Sequence, residues 1–376
     1  MPLKNSVKKL ITILILIALL AAAAYLIYYF FFQQGEPPDT TGNEITATIR
    51  KTQKIFPLSK DAVLGASIDS SGKKVKYYDK STGNILSVAF NGSDSSTLSS
   101  ANLSGLIEAF WSPDKEKVVS YFEDGDQVKK YLHNYINGQS TLLNKEIEQA
   151  VWSPDSKKIA VLTYDENSSS NIVNVANADG SEMKAIFQTR IKDILLEWPA
   201  IDKISVRTKP SGLAEGAIIS LNPDSGEFIT PLNGLSGLLS KWSPLGDIVL
   251  YSTTSASGKN PSLSTADKFG QNRSALGIYS IADKCVFSQD NRSIFCAVPE
   301  RISENAIWPD DYYKGMIATN DSFYKINLEA GSKEAIFQPG ENDKSYDVSD
   351  LFLSPKEDYI FFTNRKDGML YSLKLE

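Results

Sequence analysis

Short apolar runs alternate with tight polar turns along most of this chain. The clearest example is Trp152–Leu162, in which Trp152 ends one apolar run, a Ser-Pro-Asp-Ser-Lys-Lys turn follows, and Ile-Ala-Val-Leu begins a second run. Pro, Asp and Ser favour turns and β-branched residues favour strands, so this pattern predicts a β-hairpin. The same pattern recurs at Trp111, Trp242 and Leu353, each followed by Ser-Pro.

Weaker copies of the turn, at Ile68, Trp198 and Phe287, complete a series of seven. Counted from the apolar residue before each turn, the copies start at 68, 111, 152, 198, 242, 287 and 353. A period near ~40–45 residues with about four short strands per unit is typical of propeller blades. We therefore expect an all-β fold, a seven-bladed β-propeller of four-stranded antiparallel blades. The longer last gap predicts an insertion in the sixth unit.

The two ends of this repeat region complement one another. The chain finishes with Met369–Leu375, which fits the third strand of a blade with no fourth strand behind it. Gln53–Pro57 resembles the fourth strands predicted at 184–188 and 334–338, but it precedes the first blade. We therefore expect residues near 45–57 to pair with the last blade and close the ring, which removes free sheet edges. The propeller is predicted to span residues 44–376.

The repeated turn also carries a family resemblance. Its W-S-P-D-x-K-K-[IV] pattern, with a D-G or D-x-x-G between the later strands, resembles the TolB-type (WD-like) propeller repeat of bacterial envelope proteins. The resemblance covers about residues 45–376. Such repeats occur in periplasmic adaptors and in the propeller halves of serine peptidases, so the resemblance implies contacts with other envelope proteins or peptides.

The N-terminal region has a different pattern. An uncharged, apolar run at residues 10–32 follows the basic residues Lys4, Lys8 and Lys9. About 20 such residues cross a bilayer as a helix, and the preceding lysines predict that residues 1–9 are cytoplasmic. A cleaved signal peptide is the alternative, but its apolar region usually spans only about 7–15 residues. We expect a single-pass signal-anchor in the plasma membrane, a polar linker at 33–43 and an extracytoplasmic propeller.

Composition limits the chemistry that this chain can support. The net charge of −6 argues against nucleic acid as a partner. A single His and two Cys exclude ordinary zinc, copper and haem sites, and no cofactor is predicted. Because the chain has no G-x-S-x-G elbow, a serine-peptidase triad is not expected, and the chain is predicted not to be an enzyme. The histidine, His133, is interpreted as a strand residue rather than a catalytic base.

The two cysteines fall on one predicted hairpin. Cys285 lies at an end of strand A of the sixth blade and Cys296 lies in strand B, so a turn centred on residues 290 and 291 places them opposite one another. Cross-strand Cβ atoms are ~4.5–5.5 Å apart, within reach of a bridge. Such a bond would persist outside the cytoplasm. A disulfide and a pair of buried thiols are both compatible with this placement.

The insertion, predicted at residues 299–318, is the candidate functional segment. Its candidate binding residues are Trp308, Asp310, Asp311, Tyr312 and Tyr313. Long loops in compact domains tend to carry function, and Trp and Tyr are favoured at contacts. The alternative is that the insertion packs over its own blade, with Trp308 as a plug.

Together these patterns favour a membrane-anchored scaffold that binds proteins or ligands in the bacterial cell envelope. The alternative is an envelope hydrolase acting on glycan or peptide through carboxylates in the central pocket. An enzyme of that kind would bring acidic residues of different blades to within ~5–9.5 Å, whereas a scaffold would expose an aromatic patch near Trp308. The connections between second and third strands at 165–170, 209–215 and 253–261 are expected to share the binding face with the insertion.

Overall fold

A computed structural model describes residues 54–100, 103–340 and 344–375 of the chain. These residues form seven four-stranded sheets, and every strand pairs antiparallel to its neighbours. The predicted anchor at 10–32, residues 1–9 and the linker at 33–43 lie outside this part of the chain. Within it, no helix has the length and apolar character that crossing a bilayer requires.

The strands are numbered in chain order and fall into seven blades. Blade one contains β2 Val63–Ile68, β3 Lys74–Asp79, β4 Ile85–Ala89 and β5 Ser96–Ser99. Blade two contains β6 Leu106–Trp111, β7 Lys117–Asp124, β8 Gln127–Asn134 and β9 Gln139–Leu142. Blade three contains β10 Ile147–Trp152, β11 Lys158–Asp165, β12 Ser170–Asn177 and β13 Lys184–Thr189. Blade four contains β14 Ile194–Ala200, β15 Lys203–Thr208, β16 Glu215–Leu221 and β17 Phe228–Ser236. Blade five contains β18 Leu239–Trp242, β19 Ile248–Thr253, β20 Ser262–Asp267 and β21 Ser274–Ala275.

Blades six and seven complete the ring. Blade six contains β22 Cys285–Phe287, β23 Ser293–Pro299, β24 Asp321–Asn327 and β25 Lys333–Phe337. Blade seven contains β26 Val348–Leu353, β27 Tyr359–Asn364, β28 Leu370–Lys374 and the first strand of the described chain, β1 Ile55–Pro57. Two short helices are present in the described residues, a 3-10 turn at Ala282–Lys284 and an α-helix at Asp310–Tyr313. The predicted seven-bladed, nearly all-β propeller is confirmed.

The repeated Trp-Ser-Pro-Asp turn explains why each blade forms where it does. The hydroxyl of Ser153, which is buried, donates to Asp155 at 2.7 Å and accepts the backbone N–H of Lys158 at 2.9 Å, so it holds the turn between β10 and β11. The Trp152 indole donates to the carbonyl of Phe110 in the preceding blade at 3.0 Å. The motif therefore shapes one hairpin and also ties that hairpin to its neighbour.

Ring closure follows the predicted pairing. β1 pairs with β28 in antiparallel register, with Ile55 opposite Leu373 and Pro57 opposite Tyr371. The last blade thus has three strands from the end of the chain and one from the start. Residues 45–53, which were also expected to contribute, lie outside the described residues.

The hydrophobic core is divided into clusters that lie between adjacent blades. One cluster, for example, joins Val173 of the third blade to Leu196 and Ile219 of the fourth. In the sixth blade, Cys285 and Cys296 face each other in register and form a disulfide bond, and both are buried. The bond therefore links the first two strands of the blade that carries the insertion.

Candidate functional site

The insertion connects Pro299 at the end of β23 to Asp321 at the start of β24, and we call residues 300–320 the cap. It lies against the corresponding loops of neighbouring blades. The backbone N–H of Trp308 donates to the carbonyl of Gly258 at 2.8 Å, and the Lys259 ammonium donates to the carbonyl of Ala306 at 2.9 Å. The loops expected to share one face are thus brought together on the fourth and fifth blades.

Two of the candidate binding residues belong to the core. Trp308 and Tyr312 are only 1% and 3% exposed, and their rings stack with centroids 5.5 Å apart. They join a cluster that includes Leu250 of the fifth blade and Phe287 of the sixth. Trp308 is therefore buried between blades, and it fixes the cap in place rather than presenting a ring to solvent.

The two aspartates of the cap are held by hydrogen bonds. Asp310 accepts from the hydroxyl of Ser211 at 3.0 Å and from the backbone N–H of Gly212 at 2.7 Å, both in the fourth blade. Asp311 accepts the backbone N–H of Ile307 at 2.7 Å. A Cβ atom at Gly212 would lie 2.1 Å from the Trp308 carbonyl oxygen, so only glycine permits this close approach. Asp310 therefore ties the cap to a blade two positions away in the ring.

A buried ion cluster supports the cap from below. The Lys284 ammonium, 1% exposed, contacts the carboxylates of Asp321 at 2.6 Å and Asp347 at 2.8 Å. It also donates to the Thr319 hydroxyl at 2.9 Å. Burial opposes the charged form of Lys284, but Asp321, Tyr312 and Asp347 together outweigh this effect and the pKa of Lys284 is raised. Burying a lysine is tolerated here because two carboxylates compensate it.

The cap is coupled to this cluster through Tyr312. Its hydroxyl donates to Asp347 at 3.2 Å, and its ring lies 4.8 Å from the Lys284 ammonium. On the opposite side, the Arg365 guanidinium lies 3.8 Å from the Tyr312 ring centroid and donates to the Tyr312 carbonyl at 2.7 Å. Cations on an aromatic face are stabilising when they are desolvated. Blades six and seven are thereby joined through one tyrosine.

Beside the cap lies a cavity of about 450 Å³, which we call the cap-face depression. Its charged and polar lining combines residues of the fourth blade, the sixth blade and the cap. These residues are Arg207, Lys209, Asp283, Asp310, Tyr313 and Lys314. Asp310 and Tyr313 are the candidate binding residues that reach it, and Tyr313 is exposed.

The charges in the depression are unevenly paired. Asp310 accepts hydrogen bonds from the fourth blade, and Asp283 accepts a hydrogen bond from the Tyr313 hydroxyl. One terminal nitrogen of Arg207, Nη1, is buried and has no hydrogen-bond partner among the described residues. With Lys209 and Lys314, the depression has three cations but only two carboxylates, and both carboxylates are already engaged. It therefore attracts an anion.

A carboxyl group with a shifted pKa lies near Arg207, outside the lining of the depression. Glu197 is half-buried on β14, the strand that pairs with the strand of Arg207. Burial raises the pKa of Glu197 to about 7, although Arg207 and Lys241 act in the opposite direction. A group with such a pKa exchanges a proton near neutral pH.

A second cavity, of about 490 Å³, adjoins the depression and shares Leu195 and Lys209 with it. Carboxylates from three different blades line it, contributed by Glu108, Glu148 and Asp193. Burial raises the pKa of Glu108. Acidic residues of three blades thus line one cavity. Across the described residues, no group of three or more His, Cys, Asp or Glu side chains is arranged to hold a metal ion.

Several residues in and near the depression were not among the candidates from the sequence. Arg207, which lines it, and Glu197, which does not, lie on neighbouring strands, and a charge within such a strand is a weak signal of a polar environment. Lys209 lies in a loop that was expected on the binding face. The sequence alone does not show which charged side chains of different blades come together in the folded protein.

No protein-family model matches this chain, and no curated protein sequence matches it. Solved structures with the same fold include an oligogalacturonate lyase from Vibrio parahaemolyticus, with 11% identity, a TM-score of 0.61, and coverage of 86% of this chain and 94% of that one. An oligogalacturonate lyase in complex with manganese has 14% identity, a TM-score of 0.60, and coverage of 86% and 93%. A prolyl endopeptidase structure has 13% identity, a TM-score of 0.55, and coverage of 85% and 50%. The shared feature is the β-propeller fold.

The prediction that this chain is not an enzyme is contradicted by these comparisons. All three structures are of enzymes, and the two lyases match the propeller over almost their whole length. The prediction rested on the missing serine nucleophile motif, which excludes only one type of catalysis. A propeller can itself be nearly the whole of an enzyme, so the missing motif does not support the prediction.

Proposed function

We propose that residues 10–32 anchor this chain in the bacterial plasma membrane and that its extracytoplasmic propeller binds an acidic oligosaccharide in the cap-face depression. The observation that carries the ligand class is the Arg207 side chain, which lines the depression together with Lys209 and Lys314. The planar guanidinium matches a carboxylate in geometry and charge, so the carboxylate of a uronic acid would satisfy it.

Two further observations support this proposal. Lys209 and Lys314 line the same cavity and add positive charge where both carboxylates already have partners. Two of the structures that share the fold are oligogalacturonate lyases, whose names specify an acidic saccharide. The resemblance of the repeat to TolB-type propellers supports a place in the envelope.

Titration of the full chain in detergent micelles with tetragalacturonate tests the ligand class. Arg207→Ala is expected to weaken binding by about 10- to 100-fold, because a hydrogen bond to a charged group contributes about 1.5–3 kcal/mol. Arg207→Lys should recover only part of the affinity, since an ammonium lacks the planar pair of donors. Isothermal titration calorimetry gives the dissociation constants directly.

The matched control is Arg292→Ala, on an exposed turn of the sixth blade, where the guanidinium is 77% exposed. Its affinity for tetragalacturonate should equal that of the unmodified chain. An affinity of the Arg207→Ala variant for tetragalacturonate equal to that of the unmodified chain would contradict the proposal. Raising the salt concentration should weaken the binding of tetragalacturonate because exposed lysines contribute.

Glu197 favours a second candidate function, proton abstraction from the bound oligosaccharide. A carboxylate with a pKa of about 7 is suited to act as a base near neutral pH. In such an elimination, the base removes the proton from C5 of a uronate. The C–H electrons form the C4–C5 double bond, and the O4 leaving group departs with the electrons of its bond to C4 and takes up a proton. The cations would stabilise the charge that develops on the uronate carboxylate.

Mass spectrometry of the products separates this reaction from hydrolysis. Elimination yields two fragments whose masses add up to that of tetragalacturonate, whereas hydrolysis adds one water. Glu197→Gln is expected to abolish product formation while tetragalacturonate still binds. Full turnover by that variant would exclude Glu197 as the base. Binding without any product would exclude the catalytic candidate for this substrate and leave the binding proposal intact.

A further inference from the structure

A separate cavity of about 600 Å³ lies between the first two blades, and we call it the inter-blade groove. Its side walls are formed by Ser99 of β5 and Leu103 of the following loop, and its floor by strands β7 and β8 of the second blade. The cap-face depression is built from the fourth and sixth blades, so the two cavities have no lining residue in common.

The floor of the groove is a row of aromatic side chains. Tyr131, His133 and Tyr135 occupy alternate positions, so they share one face of the chain as it leaves β8. Phe122 extends the row from β7 and meets the Tyr131 ring edge to face at 5.7 Å. All four side chains are partly exposed. Phe122 and Tyr135 also pack against the core cluster that joins the first two blades, and the rest of this aromatic surface is accessible in the groove.

The aromatic groups are held in position by contacts beneath them. The hydroxyls of Tyr135 and the buried Tyr78 are 2.6 Å apart, and the Tyr135 ring packs against Trp111 with centroids 5.2 Å apart. His133 is hydrogen-bonded through Nδ1 to the Ser140 hydroxyl at 2.6 Å. A binding surface whose side chains are already ordered loses less entropy when a ligand arrives.

The groove is close to neutral and rich in hydroxyl groups. Ser99, Ser104, Ser120 and Ser140 line it together with the tyrosines. At its rim the ammonium of Lys129 forms an ion pair with Asp124, and Glu123 is exposed there. Burial lowers the pKa of His133, which keeps the imidazole uncharged at neutral pH. The groove therefore offers aromatic faces and hydroxyls, with little net charge.

We propose that the inter-blade groove binds a neutral sugar unit of a glycan chain. The apolar C–H face of a pyranose packs on an aromatic ring, and its hydroxyls both donate and accept hydrogen bonds, as the serine and tyrosine hydroxyls do. Proline-rich peptides also dock on aromatic grooves, but their backbone offers chiefly carbonyl acceptors. A cavity of this size accommodates a small ligand such as one or two sugar rings.

The experiment uses the full chain in detergent micelles, with chitotetraose, cellotetraose and maltotetraose as neutral probes. At least one of these is expected to bind. Tyr131→Ala should weaken that binding by about tenfold, because it removes an aromatic ring on which the sugar packs. Tyr131→Phe keeps the ring and should retain most of the affinity, which separates loss of the stacking surface from loss of the fold.

Two controls make the result specific to this groove. Tyr164→Ala removes a tyrosine that is 43% exposed on β11 of the third blade and should leave binding unchanged. Arg207→Ala, which alters the cap-face depression, should also leave neutral sugar binding unchanged. The proposal is overturned if none of the three sugars binds, if Tyr131→Ala binds as tightly as Tyr131→Phe, or if octaproline binds more tightly than every sugar.

Discussion

Replacing Lys284 with methionine is expected to lower the free energy of unfolding by about 3–5 kcal/mol, the usual effect of breaking a buried ion pair from one side. The substitution removes the ammonium that contacts both Asp321 and Asp347 and leaves two carboxylates in a site where almost no surface is exposed. Urea denaturation at neutral pH, followed by circular dichroism, measures the difference. The deficit should shrink as the pH falls toward the ordinary pKa of an aspartate, because a buried carboxylate that has lost its cation takes up a proton more readily.

Lys76→Met provides the matched control. Lys76 is also buried, but its ammonium donates to the carbonyl of Lys115 and has no carboxylate within ion-pair distance among the described residues. Burial lowers the pKa of Lys76 to about 8, so the protein already disfavours its charge. Methionine there should cost no more than about 1 kcal/mol. An equal loss of unfolding free energy in both variants would mean that Lys284 does not stabilise the fold through its contacts with Asp321 and Asp347.

Glu197→Gln is expected to stabilise the propeller at alkaline pH by up to about 3 kcal/mol, because each unit of pKa shift corresponds to 1.36 kcal/mol. The folded chain holds the Glu197 proton up to a pKa of about 7, whereas the unfolded chain releases it near 4.5. Between these values the folded state binds more protons, so this group makes stability fall as the pH rises. Glutamine has no such charge to bury.

The advantage of the Glu197→Gln variant should therefore be full above about pH 7 and disappear below about pH 4.5. Thermal or urea unfolding of both proteins from pH 4 to 8 measures it. Glu227→Gln, on an exposed turn of the same blade, should leave the free energy of unfolding unchanged across this pH range. A variant that is less stable than the unmodified chain at pH 8 would contradict the burial of a charged carboxylate. A stabilised but inactive variant would fit a residue retained for chemistry rather than for stability.

Much of the fold could be predicted because its signal is local. Trp152, Ser153 and Asp155 make their contacts within one turn or with the preceding blade, so the motif that identifies a blade also builds it. The pairing of β1 with β28 was predictable for a different reason. The last blade lacked a fourth strand and the first strand lacked a partner, so pairing the two was the simplest arrangement. The position of the turn centre in the hairpin likewise predicted that Cys285 faces Cys296.

The candidate site was harder to predict because its contacts join distant parts of the chain. Asp310 meets Ser211 across 99 residues, and no local pattern encodes that distance. The loops at 209–215 and 253–261 contact the insertion as expected, yet Trp308 is buried and Arg207 lines the cavity. The enzyme prediction failed because the absence of one catalytic motif was extended to all catalysis. The anchor at 10–32 and the protein or peptide partners stay predictions.

The position of β1 has a consequence for how the protein is made. The strand that completes the seventh blade is synthesised before every other described strand, and its partner β28 is synthesised last. Until β28 has been made, Ile55 has no strand to pair with, and the growing arc has an unpaired edge at each end. Products that terminate before β28 would thus expose edges that are paired in the closed ring, so quality control of this protein is expected to act mainly on incomplete chains.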